Sequence, residues 1–180
     1  RNAVCVGVDV DKIAGLDNFC WPDPIESEKT PDGKFKLAQL VRANRELERI
    51  CRAYRLPCVS GKDSMKNDYG KGPDKISIPP TLLFSLFGDH PDVRNSATSD
   101  LKHPGDKLYL VGESLEELGA SELAFMMTEN GQSAGIGGNV PLLSDPDRLF
   151  STYRALSKTI NSGVVKTAHD CSEGGVGVAI

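Results

Sequence analysis

A chain of 180 residues, 39% hydrophobic and 26% charged, is large enough to bury one ordinary core or parts of two. Its 21 basic and 25 acidic residues are interleaved and leave a formal net charge of -4, which argues against nucleic acid or an anionic membrane as partner. No apolar run approaches the ~20 residues that cross a bilayer, residues 1–10 lack the core of a secretory signal, and five cysteines without a C-x-x-C pair fit reduced thiols in a cytoplasmic compartment.

The sequence opens at Arg1-Asn2 and is apolar from Ala3, without an initiating Met, and stops at Val178-Ala179-Ile180, where another apolar element is beginning. An internal piece of a longer protein is expected. The first polar constellation is Leu16-Asp17-Asn18-Phe19-Cys20-Trp21, in which Asp17 either holds a ribose hydroxyl or adenine through charge-assisted hydrogen bonds or closes a local turn. A helix is predicted over 36–54, where Leu37, Leu40, Val41, Leu47, Ile50, Cys51 and Tyr54 recur at three- and four-residue steps and Pro57 follows. Its Arg42, Arg45, Glu46, Glu48, Arg49 and Arg52 form a solvated face, so the helix reads as scaffold.

Residues 56–60 read as a short strand that delivers Ser60-Gly61-Lys62-Asp63-Ser64-Met65. Glycine, lysine and hydroxyls suit a phosphate-handling loop; a hairpin turn with a surface Lys-Asp pair is the alternative. This is not a P-loop, because Leu56 and Asp63 stand where that motif needs Gly and Ser or Thr. A longer strand is predicted over 75–88, with Pro79-Pro80 making its start an edge or bulge, followed by a polar linker over 91–106 and a domain boundary near 103.

Beyond the linker, the pattern predicts a strand over 107–112, a helix over 115–128, a glycine-rich loop over 130–139, an amphipathic helix over 146–161 and a buried strand over 164–168. The last delivers His169-Asp170-Cys171-Ser172-Glu173-Gly174-Gly175. There Asp170 suits Mg²⁺ and Ser172 a nucleotide, with capping by Ser172 as the alternative; His169 is either packed or a base. The alternation of elements argues for two incomplete α+β domains.

Taken in order, Leu16-Asp17-Asn18-Phe19, the following helix, Ser60-Gly61-Lys62-Asp63-Ser64-Met65, Ile76-Ser77-Ile78-Pro79-Pro80-Thr81-Leu82, Pro91-Asp92-Val93-Arg94 and Ala168-His169-Asp170-Cys171-Ser172-Glu173-Gly174-Gly175 resemble one family. It is the phosphoribosylformylglycinamidine synthase family, in the second half of its synthetase, with the loosest match between 115 and 160. The resemblance implies an α+β fold like that of aminoimidazole ribonucleotide synthetase. Residues 1–103 would end a second N-terminal-type domain and residues 104–180 would begin a second C-terminal-type domain.

The resemblance further implies an ATP-dependent ligase that joins formylglycinamide ribonucleotide to ammonia from glutamine, or a structural half whose auxiliary nucleotide site supports the catalytic half. Its cofactors would be ATP, or ADP at the auxiliary site, and Mg²⁺. Its partners would be the remaining synthetase domains, a glutaminase domain or subunit and the nucleotide substrate. Asp17, Gly61 and Ser172 resemble nucleotide contacts, Ser64 a substrate contact, and Asp170 and Asn2 metal ligands. Shorter members have Gly-Gly-Asn-Val-Ser where this chain has Ser60-Gly61-Lys62-Asp63-Ser64. Protonated Lys62 cannot replace their metal-binding Asn and is expected to meet phosphate. The resemblance puts the catalytic His in the first half and a catalytic Cys in the glutaminase, so no catalytic residue is assigned here and the isolated piece is expected to be inactive. Sheet edges and apolar surface left without partners are expected to make it self-associate.

Overall fold

The computed structural model describes residues 1–70, 74–129 and 138–180 and resolves into two compact units. One comprises Val8–Pro91 with Pro146–Arg154; the other comprises Arg1–Gly7, Asp92–Asp145 and Ala155–Ile180.

The first unit is built on a three-stranded sheet in the order β2-β1-β5, from β1 (Ile13–Cys20), β2 (Cys58–Ser64) and β5 (Thr81–Gly88). The central β1 runs parallel to β2 and antiparallel to β5. Parallel neighbours need a crossover, and α2 (Gly33–Ala53) supplies it. The helix is tied to the sheet at both ends. Near its start the Trp21 indole Nε1 donates to the Lys36 carbonyl at 2.9 Å, and near its end the thiols of Cys51 and Cys58 lie 3.7 Å apart. Buried Phe19 and Trp21, with ring centroids 6.0 Å apart, form the core at one end of β1. Gly15 is buried at the other end, where a Cβ would come within 2.3 Å of the Phe84 ring.

The helix matches the expected one, and its charged face is exposed, with Arg49 paired to Glu46 and Arg52 to Glu48. Its apolar stripe is only partly covered, since Leu37 and Val41 remain 46% and 41% exposed. Three expectations change here. Residues 16–20 are not a turn, since they lie inside the central strand. Residues 60–64 are not a loop after a strand but the strand itself, because their backbone pairs with β1 through Ser64. The strand expected over 75–88 is broken at Pro79-Pro80, which cannot donate to a ladder, into β5 and the short β4 (Ile76–Ser77), which pairs with β3 (Asp68–Tyr69) in a separate sheet.

A polar network braces this second sheet. Lys36, buried despite its charge, donates from Nζ to Ser77 Oγ at 3.0 Å and pairs with Asp32 at 2.9 Å, while Lys75 pairs with half-buried Asp68 at 2.9 Å and donates to Thr30. Burial pushes the Asp68 carboxyl up, but hydrogen bonds from Lys75, Ser77 and the Asp23 backbone more than offset that and hold it below the usual range. In the same unit Tyr54 stacks on Phe150 at 5.4 Å, burial raises its phenol to about 12, and Arg154 forks onto Asp11 at 2.9 and 3.1 Å.

The second unit contains α1 (Asn2–Cys5), a 3₁₀ turn (Val93–Asn95), α3 (Glu122–Glu129), the C-terminal part of α4 (Pro146–Asn161) and α5 (Gly175–Ala179). Fully buried Ile160 anchors it, and the Asn161 amide donates to the carbonyls of Gly7 and Ser157 at 2.7 and 2.9 Å. The helix over 146–161 is as expected. Residues 107–112 form no strand; Leu108, Tyr109, Leu110 and Val111 are all more than half exposed, with no strand beside them among the described residues. The helix expected over 115–128 begins later because Gly119 donates to the Asn139 carbonyl, Ala120 has φ +56°, and the Ser121 hydroxyl caps the Ala124 amide. Residues 164–168 form only a bridge between Thr167 and Thr98, and Val164 is 74% exposed, so no buried strand lies there. Most of the glycine-rich loop expected over 130–139 falls outside the described residues. Among the described residues no helix is long and apolar enough to cross a membrane.

Candidate functional site

The sequence-predicted residues fall into two groups, one in each unit. In the first unit the ladder pairs Asp17 with Gly61, Asn18 with Lys62 and Cys20 with Ser64. Paired residues share a face and neighbours along a strand alternate, so Asp17 and Gly61 lie on one face while Asn18, Lys62, Cys20 and Ser64 lie on the other.

Asp17 faces α2. It lines a cavity of about 730 Å³ together with Asn44, Glu48, Cys51, Arg52 and Cys58. Gly61 makes room for it: a Cβ there would sit 2.6 Å from Asp17 Oδ1, closer than side-chain carbons approach. The carboxylate can therefore lie over the neighbouring strand with its oxygens available to donors, an arrangement suited to sugar hydroxyls. On the opposite face the Lys62 ammonium donates to Ser64 Oγ at 2.5 Å, holding a positive charge beside a hydroxyl on an exposed strand. Sequence reasoning grouped Gly61, Lys62 and Ser64 into one loop; the strand separates Gly61 from Lys62 and Ser64.

In the second unit Ser172 donates its hydroxyl to Asp170 Oδ2, and His169 Nδ1 donates to the Asp170 carbonyl at 2.7 Å. The Ser172 hydrogen bond is the main reason the Asp170 carboxyl lies below the usual range, against a smaller opposing effect of burial. Ser172 is not a helix cap, because α5 begins at Gly175 and its N-cap position is held by Gly174, whose φ is +81°, without a side-chain cap. The α1 segment lies beside this loop. The Arg1 guanidinium donates to the Cys171 carbonyl at 2.9 Å, and the Cys5 thiol is raised first by burial and then by the Asp170 charge. Asn2 heads the same helix and its Oδ1 accepts from the Ala3 amide at 2.7 Å.

Asp170 is ionised and only partly covered, and Asn2 offers an amide oxygen from the same unit. Oxygen donors of this kind fit Mg²⁺, which takes one or two carboxylates and completes its shell with water and phosphate oxygens. Among the described residues no cluster of three His, Cys, Asp or Glu side chains forms a protein-only metal cage.

Residues 103–180 match the family model of the AIR synthase related protein, C-terminal domain. The whole chain aligns with phosphoribosylformylglycinamidine synthase subunit PurL of Deinococcus radiodurans at 33% identity over 185 residues. The chain is homologous to PurL along its length. The PurL of Moorella thermoacetica is 30% identical over all of the chain, and that of Limosilactobacillus reuteri is 35% identical over 94% of it. The chain spans 23%, 22% and 21% of the lengths of these three relatives, respectively. Residues 103–180 thereby take the α+β fold of the AIR synthase family, as the sequence led us to expect.

What sequence reasoning missed is the facing of the residues and the Lys36, Asp68, Ser77 and Lys75 network. Alternating hydrophobicity would signal a strand, but residues 58–64 contain a single large aliphatic residue, Val59, so the signal was weak.

Proposed function

We propose that this chain is part of an ATP-dependent ligase that converts formylglycinamide ribonucleotide and glutamine-derived ammonia into the corresponding amidine. Residues 1–103 end a second N-terminal-type domain and residues 104–180 begin a second C-terminal-type domain. The observation that carries the reading is the Asp17 and Gly61 pair, where a glycine opposite a carboxylate leaves that carboxylate clear to accept hydroxyl donors.

In this reading Asp17, Gly61 and Ser172 contact nucleotide, Lys62 meets phosphate and Ser64 meets substrate. Asp170 and Asn2 hold Mg²⁺, which would offset phosphate charge when the amide oxygen is activated. Ser172 keeps Asp170 ionised, and Lys62 brings a cation to the face of the sheet that also carries Ser64. The residues that would complete the chemistry belong to remaining synthetase domains and to a glutaminase domain or subunit. Leu83 and Phe87, exposed on the same sheet face as Lys62, support a covering partner; a piece without one is expected to self-associate.

Calorimetry tests the reading on the intact protein, titrating ATP or ADP with and without Mg²⁺ into wild type, Asp17→Asn and Asp170→Asn. Weakened nucleotide affinity in Asp17→Asn, and a lost Mg²⁺ dependence in Asp170→Asn, are expected. Wild-type affinity in both variants would remove Asp17 from nucleotide binding and Asp170 from metal binding.

A further inference from the structure

We propose that Cys51 and Cys58 form a dithiol that a low-molecular-weight disulfide oxidises to an intrachain bond, pinning the last turn of α2 to the first residue of β2. The two sulfurs lie 3.7 Å apart without being bonded. A disulfide needs about 2.05 Å, so closure asks for a movement of about 1.7 Å, within reach of side-chain rotation.

The backbone already holds the two cysteines in place. The Leu56 amide donates to the Cys51 carbonyl at 2.9 Å, the Gly15 amide to the Pro57 carbonyl at 2.9 Å, and Leu56 is buried between these points. Held this way, each thiol sees the other at a high effective concentration, whereas the Cys20 thiol is turned toward Asn18 Oδ1 at 3.7 Å.

Exposure sets the order of events. Cys58 is exposed and meets the reagent first; its thiolate attacks one sulfur of the small disulfide, forming a mixed disulfide and releasing one small thiolate. Cys51, half-buried, then gives up its proton to solvent, attacks the Cys58 sulfur and expels the second small thiolate. Two protein thiols lose two electrons and one small disulfide becomes two thiols, so the exchange balances. Burial raises the Cys51 thiol, which makes the second step the slow one and one that quickens with rising pH. Both sulfurs line the cavity that Asp17 enters, so the bond would stiffen its wall. The chemistry does not depend on the nucleotide reading.

The test incubates the intact, folded protein with oxidised glutathione, blocks remaining thiols with iodoacetamide and maps tryptic peptides. Residues 50–52 joined to residues 56–62 should exceed any other cysteine pair by about tenfold, and dithiothreitol should reverse the link. A Cys51→Ser variant should instead accumulate the Cys58–glutathione adduct. Wild type that stops at that adduct, links Cys58 indiscriminately to other cysteines, or leaves Cys58 unmodified would overturn the proposal without recourse to the variant.

Discussion

Asp17 and Gly61 are held by a sheet, Asp170 and Ser172 by a loop, and the two groups respond to change differently. In the sheet unit a side chain's position follows from the ladder, and Gly15 and Gly33 there are packed against a ring and against backbone. In the other unit the candidate residues hold one another through a hydroxyl and a carbonyl, and Gly175 has open space around it. Packing constrains the first group and local hydrogen bonding the second.

The largest effect should come from Gly33→Ala, because the new Cβ would lie 2.3 Å from the backbone of Ile25 and Glu26, which cannot rotate away. A loss of about 3 kcal/mol is expected from urea unfolding followed by Trp21 fluorescence. Gly15→Ala meets the Phe84 ring and Leu56 and should cost about 1–3 kcal/mol in the same assay. Gly61→Ala meets only the tip of Asp17 and should cost about 1 kcal/mol, a cost that vanishes in an Asp17→Ala background.

In the loop unit, Gly175→Ala has room but must keep φ at +59°, for about 1 kcal/mol, read by differential scanning calorimetry. A penalty larger than that of Gly15→Ala would break the contrast between the units. The smallest effect is electrostatic. Ser172→Ala removes the hydrogen bond that lowers Asp170, so its carboxyl should titrate closer to the ordinary range by carbon-13 NMR. In the wild type the folded-state value lies below the unfolded one. The associated stability is complete above the ordinary carboxylate range and is lost as pH falls through the lowered value.

Helices with strong periodicity were legible in the sequence: α2 and α4 lie where their apolar spacing put them. The candidate residues were legible as a set because their order along the chain resembles a family. Their geometry was not. Residues 16–20 carry Asp17-Asn18 and residues 60–64 are polar, and it is pairing in the sheet, of β1 with β2 and β5 and of β2 with β1, that makes them extended. Conversely, residues 107–112 have the composition of a strand but no neighbour among the described residues to pair with, and a lone strand leaves its backbone groups unsatisfied. The late start of α3 turned on one residue, Ala120, whose positive φ a propensity argument does not anticipate.

The ladder between β1 and β2 slips between Gly15 and Leu16: Gly15 faces Cys58, Leu16 faces Ser60, and Val59 is left over. That one surplus residue sets which chemistry each face of the sheet carries. A ladder that ran on without the slip would set Val59 opposite Leu16 and bring Ser60, in place of Gly61, opposite Asp17, closing the room the carboxylate uses. The register of β2 beyond Val59 is thus what keeps that carboxylate open. Lineages carrying this site should accept substitutions there far more readily than single-residue insertions or deletions.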